Sequence, residues 1–242
     1  MLKKVITTAV LGVSALGVMA ANAATPGVYV TGQLGYANTH MGSKLNLEKD
    51  INNVFPPIDD SEKPFFHDLS VNRISDNGLA GRLALGYQFN QNFAVELGYM
   101  QLHSTKINAN YTIAYDEDAM PENAKLNLNQ NTIDLAVKGI LPVASNFNVY
   151  GKLGVAYLTT TATAKSGIVI PDRKGPITFP AFSFDLPDVA KHKLAPEAAI
   201  GVSYDITPNV SVDTSWTHIQ PVGKNRPGNI DFVAVGLGYH FG

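Results

Sequence analysis

The stretch VAVGLGYHFG, residues 233–242, alternates strictly between large apolar side chains and small or polar ones. Val233, Val235, Leu237, Tyr239 and Phe241 fall on one face of an extended chain, with Ala234, Gly236, Gly238 and His240 on the other. Chain ends ordinarily fray. A strand in the last position therefore predicts pairing with another segment. The same grammar recurs along the chain: Leu-Gly-Tyr stands at 34–36, 85–87, 97–99 and 237–239, with Leu153-Gly154-Val155 and Ile200-Gly201-Val202 as variants. Each copy places two bulky residues on one face and a glycine on the other, as a narrow barrel needs bulk outside and room inside.

Composition agrees with a buried or lipid-facing apolar surface. The 242 residues are 45% apolar and 16% charged, with formal net charge −2 and no cysteine. A basic nucleic-acid binder, a disulfide scaffold and a thiolate metal site are thereby disfavoured. Residues 1–23 read as a signal peptide: Lys3 and Lys4, an apolar run from Val5 to Met19, then Ala21-Asn22-Ala23 for cleavage. Beyond them no run approaches the roughly 20 apolar residues of a transmembrane helix. A closed barrel is the other spanning structure that satisfies every backbone hydrogen bond in lipid.

The expectation is thus an all-β, eight-stranded antiparallel up-and-down transmembrane β-barrel over 24–242. Its strands are predicted at about 27–37, 78–89, 92–102, 131–141, 147–158, 193–206, 209–219 and 229–241. Tight turns NQN (90–92), PVASN (142–146) and TPN (207–209) belong at the periplasmic rim. Long extracellular loops are expected at about 38–77, 103–130, 159–192 and 220–228. Parity supports the assignment. Leu79, Leu83, Leu85, Tyr87 and Phe89 oppose Arg82 and Gln88, and Ile133, Leu135, Val137 and Leu141 oppose Asp134 and Lys138. No Lys or Arg occupies a central outward position, where it would cost roughly 2–4 kcal/mol. Tyr36, Tyr99, Trp216, Tyr239 and Phe241 are candidates for the aromatic girdles.

The segments YDITPNVSVDTSWTHI…RPGNIDFVAVGLGYHFG, GYQFNQNFAVELGY and VKGILPVASNFNVYGKLG resemble the transmembrane domain of OmpA-type outer-membrane proteins. The resemblance implies insertion in the bacterial outer membrane and a role in envelope structure. The chain runs only to Gly242, so the family's peptidoglycan-binding domain is not carried over. In the family a lumenal glutamate on the third strand exchanges between bases on the fourth and seventh. The matching positions are Glu96, Lys138 and Asp213, an acid standing where the second base belongs.

An eight-stranded lumen is filled by side chains, and the inward charges are Arg82, Lys138 and Lys152 with Glu96, Asp134, Glu197 and Asp213. Burial requires them to pair. The expected pairs are Glu96 with Lys138, and Asp213 with Lys152 or Arg82, serving as structural filling with narrow ion or small-solute passage as a further option. A second functional class places binding in the loops through Phe65, Phe66, Phe179, Phe182 and Phe184, an adhesin reading. Catalysis, for instance on lipid A, is not expected, since His218 and Ser215 have opposite parity, His40, His67, His103 and His192 fall in loops or at strand ends, and His240 is expected in the lumen at the periplasmic rim. No cofactor or metal is expected; Ile58–Lys63 is acidic but lacks spaced ligands. Expected partners are outer-membrane lipid and lipopolysaccharide, the barrel-assembly machinery with periplasmic chaperones, and, on the adhesin reading, a host-cell or matrix protein.

Overall fold

The structure, a computed structural model, describes residues 26–41, 66–115, 118–164, 169–170, 177–178, 182–184 and 191–241. The expected signal peptide, Phe65 and Phe179 lie outside them. In chain order the strands are β1 (Gly27–Asn38), β2 (Phe66–Ser75), β3 (Asn77–Asn90), β4 (Phe93–Gln101), β5 (Thr105–Tyr115) and β6 (Asp118–Pro142). They continue as β7 (Phe147–Ala164), β8 (Val169–Ile170), β9 (Ile177–Thr178), β10 (Phe182–Phe184), β11 (His192–Asp205), β12 (Val210–Ile219) and β13 (Ile230–His240).

Eight of these form the wall, in the order β1, β3, β4, β6, β7, β11, β12, β13, each antiparallel to its neighbours. The opening stretch closes it. Tyr239 pairs with Val30, Leu237 with Gly32 and Val233 with Tyr36, so β13 completes the ring against β1. Further along the same seam Phe241 N donates to Val28 O at 2.9 Å. Unpaired edges in hydrocarbon would each cost several kcal/mol per group, and this seam removes them.

The polarity of the wall is inside out. Leu79, Leu83, Leu135, Leu153, Ile200, Val235 and Leu237 point outward and are exposed, whereas Ala84, Ala136, Ala156, Ala199 and Ala234 point inward and are buried. At the periplasmic rim the spacing aromatic-x-aromatic repeats: Tyr87 meets Phe89 edge-on at 5.1 Å, and Tyr239 meets Phe241 likewise at 4.9 Å. Trp216, Tyr36 and Tyr157 face outward towards the other end. The tight turns are closed by their own residues, Asn90 Oδ1 accepting from Asn92 N and Phe93 N, and Thr207 Oγ1 from Val210 N.

The expected loops at 38–77, 103–130 and 159–192 contain strand. β6 carries its pairing with β7 from Pro142 up to Leu126, and its first part forms a hairpin with β5, Tyr115 opposite Asp118 and Thr105 opposite Leu128. β2 adds to β5, and β10 to the far end of β7. Above the hydrocarbon the chain still needs partners for its backbone groups, and the ladder already begun in the wall supplies them. Phe66 begins β2, pairing with Ile113, and Phe182 and Phe184 bound β10; they are strand residues rather than loop residues.

Leu135, 58% exposed in the middle of an outward row, provides the test of membrane depth. Leu135→Arg is expected to lose about 2–4 kcal/mol, and Val143→Arg at the periplasmic turn no more than about 1 kcal/mol. Urea unfolding from lipid vesicles, followed by the fluorescence of the single tryptophan, measures both; equal losses would contradict the assigned depth.

Candidate functional site

The lumen contains two layers. Nearer the periplasm lies a polar network, built around Glu96 on β4, which is 1% exposed. Its Oε2 accepts from Lys152 Nζ at 2.6 Å and Arg82 Nη1 at 3.4 Å. Its Oε1 accepts from the Tyr29 hydroxyl at 2.8 Å and faces Lys138 Nζ at 3.3 Å. Arg82 also donates to Asp134 through Nε (3.2 Å) and Nη2 (2.5 Å), a two-bond fork of the kind guanidinium geometry favours. Through Nη1 it reaches Gln33 Oε1 at 3.4 Å, and Gln33 Nε2 donates in turn to Asp213 at 2.7 Å and Ser215 at 3.1 Å.

Asp213 departs from the expectation. It has neither Lys152 nor Arg82 as partner; Gln33 and the Tyr150 hydroxyl, at 2.6 Å, donate to it instead. The reason lies in Tyr150, whose hydroxyl is spent on Asp213 while its ring face carries Lys138 Nζ at 4.3 Å and Lys152 Nζ at 5.4 Å. The three lumenal cations are thereby committed to Glu96, Asp134 and an aromatic face. Glu197 is buried on β11, and its Oε2, like Asp213 Oδ1, has no hydrogen-bond partner among the described residues.

Inward glycines make this network possible. Tyr29 on β1, Gly86 on β3 and Glu96 on β4 stand in one cross-strand row, and a Cβ on Gly86 would collide with the phenol end of Tyr29. Tyr150 crosses Gly201 in the same way to reach β12, and Gln33 crosses Gly236 to reach Asp213. Gly98 lies beneath the Arg82–Asp134 pair, which joins β3 to β6 over β4. Each glycine is a saddle across which side chains from the strands on either side meet.

The second layer, towards the extracellular mouth, is mostly apolar, with Thr132 between Met100 and Leu158 and Thr217 opposite Phe232 as its buried polar members. Ala37, Ala80, Met100, Leu102, Ala156, Leu158, Ala195, Ile219, Ile230, Phe232 and Ala234 form one buried cluster contributed by β1, β3, β4, β7, β11, β12 and β13 and by Leu102 just after β4. On β1, β3, β4, β7, β11 and β12 these residues follow the polar inward positions in the extracellular direction. Met41, fully buried, lies above them and takes Gly228 N and Gln130 Nε2 on its sulfur. Parity reasoning from charges alone did not find this layer, nor the roles of Tyr29, Gln33 and Tyr150; its signal was the small or apolar inward residue beyond the charged one on β3, β4, β7 and β11.

At the outer rim, His218 Nδ1 lies 2.8 Å from Asp231 Oδ1, and His40 Nδ1 lies 3.7 Å from Asp231 Oδ2. Ser215 is buried in the lumen and His218 lies on the other face, as their spacing predicts. Among the described residues no group of three His, Cys, Asp or Glu side chains is arranged to hold a metal ion.

A closed wall of this kind, lined by Leu-Gly-Tyr strands, matches the family described as outer membrane protein beta-barrel domain across residues 8–241. The chain belongs to that family. Its place is accordingly the bacterial outer membrane, as the OmpA-type resemblance implies. An uncharacterized protein of Coxiella burnetii (strain RSA 493 / Nine Mile phase I) is 29% identical over 265 residues, covering all of both chains. Among solved structures, Neisserial surface protein A is similar with a TM-score of 0.49 and 14% identity, covering 91% of this chain and 100% of its own. The outer membrane protein OprG of Pseudomonas aeruginosa gives 0.44 and 14%, covering 89% and 96%.

The saddles yield a sharp contrast within the barrel. A Cβ on Gly98 would land on Arg82 and Asp134, whereas one on Gly32, facing lipid, meets only Leu83 at 3.5 Å. Gly98→Ala is expected to cost at least about 1–3 kcal/mol through overpacking against a buried pair, and Gly32→Ala close to nothing. Unfolding midpoints of the two variants in the same detergent, checked by the heat-dependent gel shift of folded barrels, decide between them.

Proposed function

We propose that this barrel is a sealed, non-enzymatic element of the outer membrane whose task is to brace the envelope and carry a surface-exposed sheet. The observation that supports this most is the apolar layer. Water and ions moving along the lumen would have to leave the polar network and pass Met100, Leu158 and Phe232, none more than 1% exposed. A filled lumen of eight strands leaves no wide pore. The exchange of salt-bridge partners implied by the OmpA-type resemblance also lacks its second base, since position 213 is an aspartate hydrogen-bonded to neutral donors. Purified protein in planar bilayers is expected to give no steady single-channel steps, and Glu96→Ala or Lys138→Ala to remain silent because the apolar layer stays in place. Regular conductance steps from the wild type would refute the sealed reading.

A second reading is favoured by the strand extension. β5, the first part of β6, the end of β7, β2 and β10 continue the sheet beyond the wall, and sheets held rigidly outside a membrane are suited to binding a partner protein on host cells or matrix. Deleting residues 167–188 removes β8, β9 and β10 while leaving all eight wall strands. Attachment of cells bearing the truncated protein is expected to fall if this surface binds, and unchanged attachment removes the adhesin reading for that segment.

A further inference from the structure

Alternation decides which face of each wall strand meets lipid, but it leaves the register open in steps of two, because a slip of two residues keeps every side chain on its own face. Within the hairpins β3–β4, β6–β7 and β11–β12 the tight periplasmic turns set the register. Between hairpins there is no tight turn to do so. β4 and β6 are joined through residues 102–117, β7 and β11 through 165–191, and β12 and β13 through 220–229, all at the extracellular end. Connections of such length let one hairpin slide along the next, so these three interfaces need a contact of their own to hold them in step.

An asparagine makes that contact at the periplasmic end of all three. Asn92 O accepts from Ile140 N at 2.7 Å while Asn92 Nδ2 donates to Ile140 O at 3.0 Å. Asn146 O accepts from Asp205 N at 2.8 Å, and its Nδ2 donates to Asp205 O at 2.8 Å. Asn209 repeats the pattern with His240, at 2.8 Å in both directions. Each stands one step before the first ladder pair of its interface, Phe93 with Gly139, Phe147 with Tyr204 and Val210 with Tyr239. Two opposed residues of an antiparallel pair would ordinarily exchange backbone bonds here. At two of the sites the turn has taken the backbone donor, Asn92 N going to Asn90 Oδ1 at 2.8 Å and Asn209 N to Thr207 Oγ1 at 3.3 Å. The side-chain amide completes the rung instead. The interface of β1 with β3, also joined by a long connection, is pinned at its other end: Thr39 gives both N (2.8 Å) and Oγ1 (2.9 Å) to Asp76 O, one step past the pair Asn38 with Asn77.

We propose that Asn92, Asn146 and Asn209 are register keys: each grips one residue of the neighbouring hairpin at two points and so selects the native register from those two residues away. The grip needs a donor and an acceptor on the residue opposite. A slip of two in one direction would set Pro142 against Asn92, and proline has no N–H to offer. The lumenal ion pairs cannot do this work at a single interface. Arg82 to Asp134 joins β3 to β6, and Glu96 to Lys152 joins β4 to β7, so both require a strand in between. A key requires only the two strands it aligns. The inference stands whether or not the lumen conducts and whether or not the extended sheet binds a partner.

The chain contains no cysteine, so introduced pairs read the register directly. Val95 lies opposite Val137 on the outward face of β4 and β6. Val95→Cys/Val137→Cys therefore reports the native register, and Val95→Cys/Leu135→Cys and Val95→Cys/Gly139→Cys report slips of two in either direction. The mature protein, refolded from urea into lipid vesicles under mild oxidation, is expected to cross-link through the native pair. Asn92→Ala is expected to lower the ratio of native to slipped cross-link about fivefold, the worth of one hydrogen bond. Asn92→Asp, which keeps the shape and loses the donor, is expected to lower it at least as far. Gly98→Ala, which weakens the same strand without touching the key, is expected to leave the ratio unchanged. If the Asn92 variants give no heat-dependent gel shift, Asn209→Ala serves, read by Val212→Cys/Leu237→Cys against Val212→Cys/Val235→Cys across β12 and β13. An unaltered ratio in a folded asparagine variant, or an equal fall in Gly98→Ala, overturns the proposal.

Discussion

Hydrocarbon offers no hydrogen bonds to a peptide group, and the whole architecture follows from that shortage. Each wall strand must be flanked on both sides, so the last strand has to find the first, and the seam between β13 and β1 is where this requirement is met. Closure in turn orients every side chain. Residues at one parity face lipid and become bulky and apolar; those at the other are enclosed in a space about two side chains wide. The usual globular distribution is thereby reversed, with leucines on the outside and a charged cluster at the centre.

That enclosed space explains why the centre takes the form it does. Burying seven ionisable groups is costly unless each finds partners at good geometry. In a cylinder this narrow, facing side chains would collide before they could pair. Glycine on the intervening strand resolves the conflict by letting a tyrosine, glutamine or arginine lie flat across it. The network supplies definition of shape more than net stability, in keeping with buried ion pairs generally. The apolar layer at the outer end behaves as an ordinary core, its methionine, leucine, isoleucine and phenylalanine side chains removed from water.

The wall was legible because lipid imposes a strong contrast between neighbouring residues. Leu79 to Phe89 and Val233 to Phe241 alternate so sharply that face, direction and closure can be read directly. Beyond the membrane that contrast fades. The run from Asp118 to Gln130 holds Pro121 and several asparagines and looks like a loop, yet it continues a ladder nucleated further down. The charges were legible as lumenal but their pairing was not. Arg82 and Asp134 are separated by a whole strand, and only the absence of a side chain at Gly98 brings them together. Likewise nothing in the local sequence links Lys193 to Lys224, whose contact depends on how the connection 220–229 folds back.

One consequence belongs to the longest strand. β6 runs unbroken from Asp118 to Pro142, so the segment from 118 to 130 projects about 40 Å of contour past its transmembrane stretch without an intervening hinge. A rod of this sort transmits force. Traction applied at its far hairpin would be borne in shear along the hydrogen-bond rungs shared with β7, and delivered to the bilayer as torque on a rigid body.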